Sequence, residues 1–422
     1  LFLNAVEVPL GNLSYPCTFE GVGPFRNLIA YSAPAHIREA VWIKGSPLAR
    51  GIIQNFLSAQ REDGFFPGHL YSFRPPRDFY FTNWGDALDA FLSMERPEDT
   101  PKILSRFEKY ADFLDTARDP ERSGMIDVVS QHETGQEYSP RYLFANPHAD
   151  QDQPFRLKGV DATYYAFRLR TVLTHWFREI GDETSALRNL KRLSLLRKGL
   201  LKHMWDAKQG FFKDVFLPNA FSNPAQPLRL SPVLSAVGFY PLAKTPVTRK
   251  QISELTRNLL NPKTFGTPLP IPSLSQKDPL FSAEGFWKGI RKNCPWNGRV
   301  WPMINSHLVE GLMVCAERNR KLATLAGEIF KKWTYAMFLN GDPTKPTSYE
   351  HYNPFTAEPC LFRGIDDYFH SWYCDLIIRY LGGINPAKPD SPNPRMNLDL
   401  KWWALTNVPT ASGTIEREWK AT

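Results

Sequence analysis

The chain has 422 residues, 42 % hydrophobic and 22 % charged, so it can bury a large core and is neither disordered nor a charged tail. A formal net charge of +8 would suit a polyanion, but the basic residues are interleaved with leucine along helical stretches such as 188–202. That is the pattern of a solvated helix face, and no nucleic-acid motif is present. The five cysteines are irregularly spaced and give neither a disulfide framework nor a metal pattern, and no run approaches the ~18 apolar residues of a membrane span. The chain begins with Leu, which is compatible with a signal peptide or a preceding domain and leaves both a cytoplasmic and an exported location open.

In chain order, residues 1–30 mix Gly, Pro and aromatics and read as an irregular N-terminal segment. Apolar residues then recur at three- and four-residue intervals, which predicts amphipathic helices over 47–60, 83–93, 99–116, 162–180, 182–205, 249–260, 304–318, 321–339 and 368–381. Asp182-Glu183 after Gly181, and Thr248 before Arg249, are helix-start signals. Between alternate helices lie long polar loops over 62–82, 119–159, 261–298 and 340–367. Loops longer than ~15 residues are uncommon unless functional, and their regular placement predicts that one rim of a helical assembly carries them all. Strand signals are weak, with 396–400 as one candidate. The Pro-rich tail over 384–422 reads as a strap packing back on the helices. The expected organisation is thus an irregular segment over 1–30, a helical barrel over 31–383 and a strap over 384–422.

Three loop segments carry residues suited to chemistry. In 131–142, Glu133 and Glu137 stand four apart around Gly135, with Arg141 four residues further on. A loop carboxyl among aromatics can have its pKa raised by desolvation and act as a general acid. In 348–359, Glu350 stands among Tyr349, His351 and Asn353 next to a Pro turn, where a carboxylate can hold and deprotonate a water. In 294–302, Trp296 and Trp301 flank Asn297-Gly298-Arg299, which suits an apolar wall for a pyranose with polar groups for its hydroxyls. Each segment also reads as ordinary structure: a Glu137–Arg141 surface ion pair, a hydrogen-bonded Glu in a turn, two core tryptophans capping a helix. No phosphate loop, zincin helix or nucleophile elbow is present.

These segments, in this order and on this helical background, resemble the alpha/alpha six-hairpin glycoside hydrolases of the trehalase, processing alpha-glucosidase and mannosylglycerate-hydrolase-like group. The likeness runs from about Gln60 to Gly383. Gln60–Gly68 is similar to the family's "Q-x-x-x-G-x-x-P" stretch, and Glu133–Arg141 to its "E-S-G-W-D-x-S-x-R" signature. Trp296–Pro302 is similar to "W-R-G-P-V-W-P", and Glu350–Pro354 lies where "E-x-Y-N-P" is expected. The resemblance implies an all-α (α/α)6 toroid with long active-site loops on one rim, and an inverting hydrolase of α-glycosidic bonds with Glu137 as acid and Glu350 as base. Gln136, Arg141, Trp296, Asn297, Arg299, Trp301 and Tyr349 would contact the sugar. Two departures stand out: Glu137 replaces an Asp, and Asn297 and Arg299 replace the Arg and Pro of the tryptophan motif.

Single-displacement hydrolysis needs two carboxyls ~6.5–9.5 Å apart with a water between them, and no metal or organic cofactor. The implied partner is an oligosaccharide or small glycoside, with no role for nucleic acid or membrane. Helical toroids also serve sugar epimerases, polysaccharide lyases and non-catalytic carbohydrate-binding proteins, and these stay open at this stage.

Overall fold

The computed structural model describes residues 4–6, 8–21, 25–216, 228–338, 342, 344, 348–360, 368–388 and 390–420. Ten α-helices are found among them: α1 Ala33–Ala40, α2 Leu48–Ala59, α3 Trp84–Glu95, α4 Thr100–Ala117, α5 Val160–Glu179, α6 Glu183–Lys198, α7 Arg249–Leu260, α8 Pro302–Ala316, α9 Lys321–Met337 and α10 Tyr373–Leu376. A 3-10 segment, Ala236–Leu242, stands in line with the helices.

Burial sorts these elements into two layers. α1, α5, α8 and Ala236–Leu242 are buried around almost their whole circumference. α6 and α7 bury only one face and carry charges on the other, as outer helices do. The inner elements meet in a closed circuit: α1 packs on α3, α3 on α5, α5 on Ala236–Leu242, that segment on α8, α8 on α10, and α10 on α1. Outside this ring α2 covers α1, α4 and α6 cover α5, and α9 covers α8. The body of the chain is therefore a ring of paired helical elements, the architecture that the resemblance implies.

Local chemistry fixes the helix starts. Thr248 and Gln251 form a reciprocal capping box on α7, and the Asp182 side chain accepts from Ser185 N at the start of α6. Close approach of the inner helices is set by glycine: a Cβ at Gly85 on α3 would lie 2.7 Å from the Arg168 carbonyl carbon on α5.

The inner elements are joined by charge. Each of its six inner elements, or the residues just after it, contributes a group to one buried network. Arg38 of α1 bonds Glu310 of α8 (2.8 Å) and Asp375 of α10 (2.6 Å). Arg168 of α5 bonds Asp86 of α3 (2.7 Å), and Lys244, just past Leu242, bridges Asp86 (2.9 Å) and Glu310 (3.1 Å). Burial alone would raise these carboxyls. The cations outweigh it, holding Asp86 well below the usual carboxylate range and Glu310 down at about 2.

Several expectations need correction. α1 has no counterpart among the predicted helices. The chain at 396–400 is not a strand. Instead the tail ends in an antiparallel hairpin, Trp402–Thr410 with Gly413–Lys420. Upstream of it, Met396 N donates to Tyr380 O (2.6 Å), tying the strap to the end of the last inner element. Of the expected 340–367 loop, residues 340, 341, 343, 345–347 and 361–367 lie outside the described residues, as does residue 339 of the expected 321–339 helix.

Candidate active site

All four long loops contribute to the wall of one cavity of about 630 Å³, within the ~300–1,000 Å³ typical of small-molecule sites. His69 and Tyr80 come from the first loop, His132, Gly135, Glu137 and Tyr138 from the second, Arg291 to Cys294 from the third, and Glu350 and Cys360 from the fourth. Trp301 and Tyr368 complete the ring of loops, and Glu20, Phe25, Ile29 and Tyr31 close the wall from the N-terminal side.

Glu137 is presented by two consecutive tight turns. Ser130 caps the 3-10 turn Gln131–Thr134, which ends at Gly135 with φ +62°. A Cβ at Gly135 would come within 2.9 Å of the Tyr31 ring, so glycine is required both by conformation and by space. Tyr138 is also left-handed (φ 54°), and its N donates to Gln131 Oε1 (3.1 Å). The carboxylate oxygens of Glu137 face two donors. His132 Nδ1 lies 3.2 Å from Oε1, and the Cys294 thiol donates to Oε2 at 3.0 Å. His132 Nε2 reaches Asp152 (2.8 Å). Between these acids, and chiefly through its bond with Glu137, the imidazole is raised to about 9. Glu133, the other carboxylate of the pair, turns away and binds Arg118 (2.6 Å).

Glu350 is 5 % exposed. It precedes Tyr352, which exchanges two backbone hydrogen bonds with Val300 (2.8 and 2.9 Å), so the fourth loop is stitched to the tryptophan segment. A third tie, Trp296 N to Glu137 O (3.1 Å), joins that segment to the second loop. The two carboxylates are thus carried on separate loops braced against one shared strut.

The strut also positions the remaining motif residues, most of which are buried behind the cavity wall rather than lining it. Trp301 lines the cavity and Trp296 is stacked behind it at 3.9 Å and 12°; both are 1 % exposed. Asn297 is fully buried and donates to Leu280 O and Phe286 O, both at 2.8 Å. Arg299 spends its guanidinium on Ala283 O, Glu358 O and His351 Nδ1. Arg141 is 0 % exposed and clamps Asp161 and Asp214, with Gln136 accepting from its Nη1. It forms no pair with Glu137. Tyr349 is half-buried, its backbone N donating to Tyr352 Oη (2.8 Å), and it does not line the cavity. The structure therefore brings Glu137, Glu350 and Trp301 together and places Gln136, Arg141, Trp296, Asn297, Arg299 and Tyr349 behind or beside the wall. Gln136, Arg141 and Arg299, and the Asn297 amide nitrogen, are directed at backbone carbonyls and buried partners, because a loop rim without regular strands must satisfy most of its own buried polar groups.

Glu350, His351 and Cys360 offer ligand atoms within 4.8 Å of one another. Their chemistry does not suit a cation. His351 accepts from Arg299 at Nδ1 and donates to Asn293 O at Nε2, and burial pushes the Cys360 thiol up to about 11.

Several further residues line the wall: Glu20, Tyr31, Tyr80, Cys294 and Tyr368, none of them expected in the site, and the loop histidines His69 and His132, which by type and position alone read as structural. His132 and Cys294 sit inside motif segments already singled out. Glu20 and Tyr31 carry no motif, and only the folded chain brings them to the pocket.

Comparisons with known proteins agree with this fold. A family model, the mannosylglycerate hydrolase MGH1-like glycoside hydrolase domain, matches residues 26–371. Among solved structures, the fold is similar to that of a sialidase at TM-score 0.76 and 18 % identity, over 100 % of this chain and 36 % of that one. It is also similar to a GH63 mannosylglycerate hydrolase from Thermus thermophilus in complex with glucose, at TM-score 0.67 and 18 % identity, over 90 % and 97 % of the two chains. An uncharacterized protein of Borreliella burgdorferi is 24 % identical over 223 residues, 50 % of this chain and 42 % of the relative, so the chain spans less than half of that relative's length. The family match takes in both cavity carboxylates, Glu137 and Glu350, and most of the helical ring, and the chain belongs to the MGH1-like glycoside hydrolase domain family.

Proposed function

We propose that the chain hydrolyses an α-glycosidic bond of an oligosaccharide or small glycoside by a single displacement with inversion. The observation that carries this reading is that Glu137 and Glu350, distant in sequence, line the same cavity. Glu137 gives its proton to the leaving oxygen. Glu350 takes a proton from a water as that water attacks the anomeric carbon from the opposite face. The Trp301 ring supplies an apolar wall for the pyranose. After each turnover Glu137 must be reprotonated. His132 bonds Glu137 on one side and Asp152 on the other, and its side chain is 52 % exposed, so it links Glu137 to bulk solvent.

His132 gives a pH prediction. The charged imidazole is the proton donor, and its pKa is raised to about 9. Turnover is expected to hold up to that point and to fall as pH rises through it. In His132→Gln the alkaline limb of kcat should move to lower pH, because Glu137 loses its proton donor, and kcat at neutral pH should drop. A limb unchanged in the variant would separate His132 from the proton path.

The direct assay is a panel of nitrophenyl α-glycosides and small α-linked disaccharides. Release of free sugar from at least one is the expected result. Failure on the whole panel, or an unsaturated product absorbing in the ultraviolet as from a lyase, would overturn the reading.

A further inference from the structure

The cavity holds a third carboxyl, and hydrolysis as described does not use it. Glu20 lines the wall and is 2 % exposed. Its backbone is fixed by Phe369 N donating to Glu20 O (2.7 Å). The hydroxyls of Ser32 and Tyr368 bond its carboxyl, yet Oε1 has no hydrogen-bond partner among the described residues, and neither does the neighbouring Tyr31 Oη. Leaving a buried polar atom unpaired costs about 1–3 kcal/mol. In the wall of a pocket that cost is removed when a ligand supplies the partner. Glu20 also lies outside the 26–371 family match, so this chain's own N-terminal segment delivers it.

We propose that Glu20 is a sugar-binding residue that determines specificity: its carboxyl hydrogen-bonds a ring hydroxyl of the pyranose held between Glu137 and Glu350. The proposal rests on the hydrolase reading only for the pocket being a sugar site. The carboxyl acts in its neutral form. Burial is the main cause, the bonds from Ser32 and Tyr368 oppose it, the charge on Glu137 adds to it, and the pKa rises to about 8. The titratable groups around it are Tyr31, Tyr80, Tyr368, Glu137 and Glu350. Burial raises the three phenols well above their usual range, so they stay neutral throughout. A neutral acid donates and accepts at once, as a primary amide does, and adds no further negative charge beside the base Glu350.

The test is calorimetric titration of glucose, mannose, galactose and rhamnose into wild type, Glu20→Gln and Glu20→Leu, with melting temperatures measured in parallel. Wild type should bind at least one of them. Glu20→Leu should weaken that sugar by roughly tenfold to a hundredfold, the size of one hydrogen bond lost in a dry site, and melt at the wild-type temperature or above. Glu20→Gln should stay within a few-fold of wild type. Wild-type affinity should fall as pH rises through about 8, whereas that of Glu20→Gln should be flat. No sugar bound, or a bound sugar indifferent to Glu20→Leu, overturns the proposal. If Glu20→Leu fails to fold, the Gln variant decides: a pH profile that tracks wild type overturns it. Sugar binding that depends on Glu20 without hydrolysis of any glycoside would sink the hydrolase reading and leave this one standing.

Discussion

Glu350→Gln should lower kcat by about 100- to 10,000-fold on every substrate, the usual contribution of a positioned general base. The amide keeps the shape of the side chain but cannot take a proton from water, so the loss should appear in kcat, with KM and melting temperature little changed. Glu137→Gln should fall as far on a disaccharide, whose leaving alkoxide needs a proton. It should fall much less on a nitrophenyl glycoside, because nitrophenolate leaves as a stable anion without one. This asymmetry separates the acid from the base. Equal losses on both substrates in both variants would contradict the assignment, as would wild-type turnover in either. Steady-state kinetics on one disaccharide and one nitrophenyl glycoside suffices.

The largest effect on stability is expected in the charge network that joins the inner elements. Arg38 is buried, bonds Glu310 and Asp375, and has its guanidinium carbon 4.6 Å from the Trp372 ring centroid. Arg38→Met preserves much of the packing volume and leaves two buried anions under-compensated, Glu310 with Lys244 (3.1 Å) and Asp375 with Arg379 (2.7 Å) as remaining cations. Removing one member of such a network costs about 3–5 kcal/mol, read as a lower melting temperature and denaturant midpoint. Adding Asp375→Asn should recover part of the loss, since it removes one under-compensated charge. A loss below ~1 kcal/mol would show that water reaches the network. The same network sets an acid limit. Glu310 is depressed to about 2 when folded, against an ordinary value of 4.5. Its contribution is therefore present above about 4.5 and is lost as pH falls through about 2.

The helices legible in the sequence are those long enough to show apolar residues at three- and four-residue spacing. α4, α6, α7 and α9 alternate core and solvent, with start signals on α6 and α7, whereas α2, α3, α5 and α8 are buried on most sides and were read from the length of their runs. α1 is buried over all eight of its residues, and Ala236–Leu242 is buried over its whole length and contains Pro241. With no polar face over so short a run there is no period to read, although both are inner elements of the ring. The C-terminal hairpin was missed for a related reason. Trp402 and Trp403 suggest packing, but the pairing with Gly413–Lys420 depends on a turn that no strong signal announces.

The candidate site divides in the same way. Glu137, Glu350 and Trp301 stand in compact motifs that survive reading one residue at a time. Arg141, Asn297 and Arg299 were found by the same motifs and expected to face the sugar, whereas they are buried and bonded behind the wall. A polar side chain that braces a loop from behind has the same letter as one that faces a substrate, and only the fold tells them apart. Glu20 is the reverse case, a residue in an unremarked segment that the fold carries into the pocket wall.

The stereochemistry of the first-formed product tests the central claim most directly. Proton NMR during hydrolysis of the best α-linked substrate from the panel should show the β-anomer appearing first, with the α-anomer growing in only by mutarotation, because a water activated by Glu350 attacks from the face opposite the leaving group. The α-anomer appearing first would mean a double displacement through a covalent intermediate, and the assignment of Glu137 and Glu350 as acid and base across a single water would be wrong.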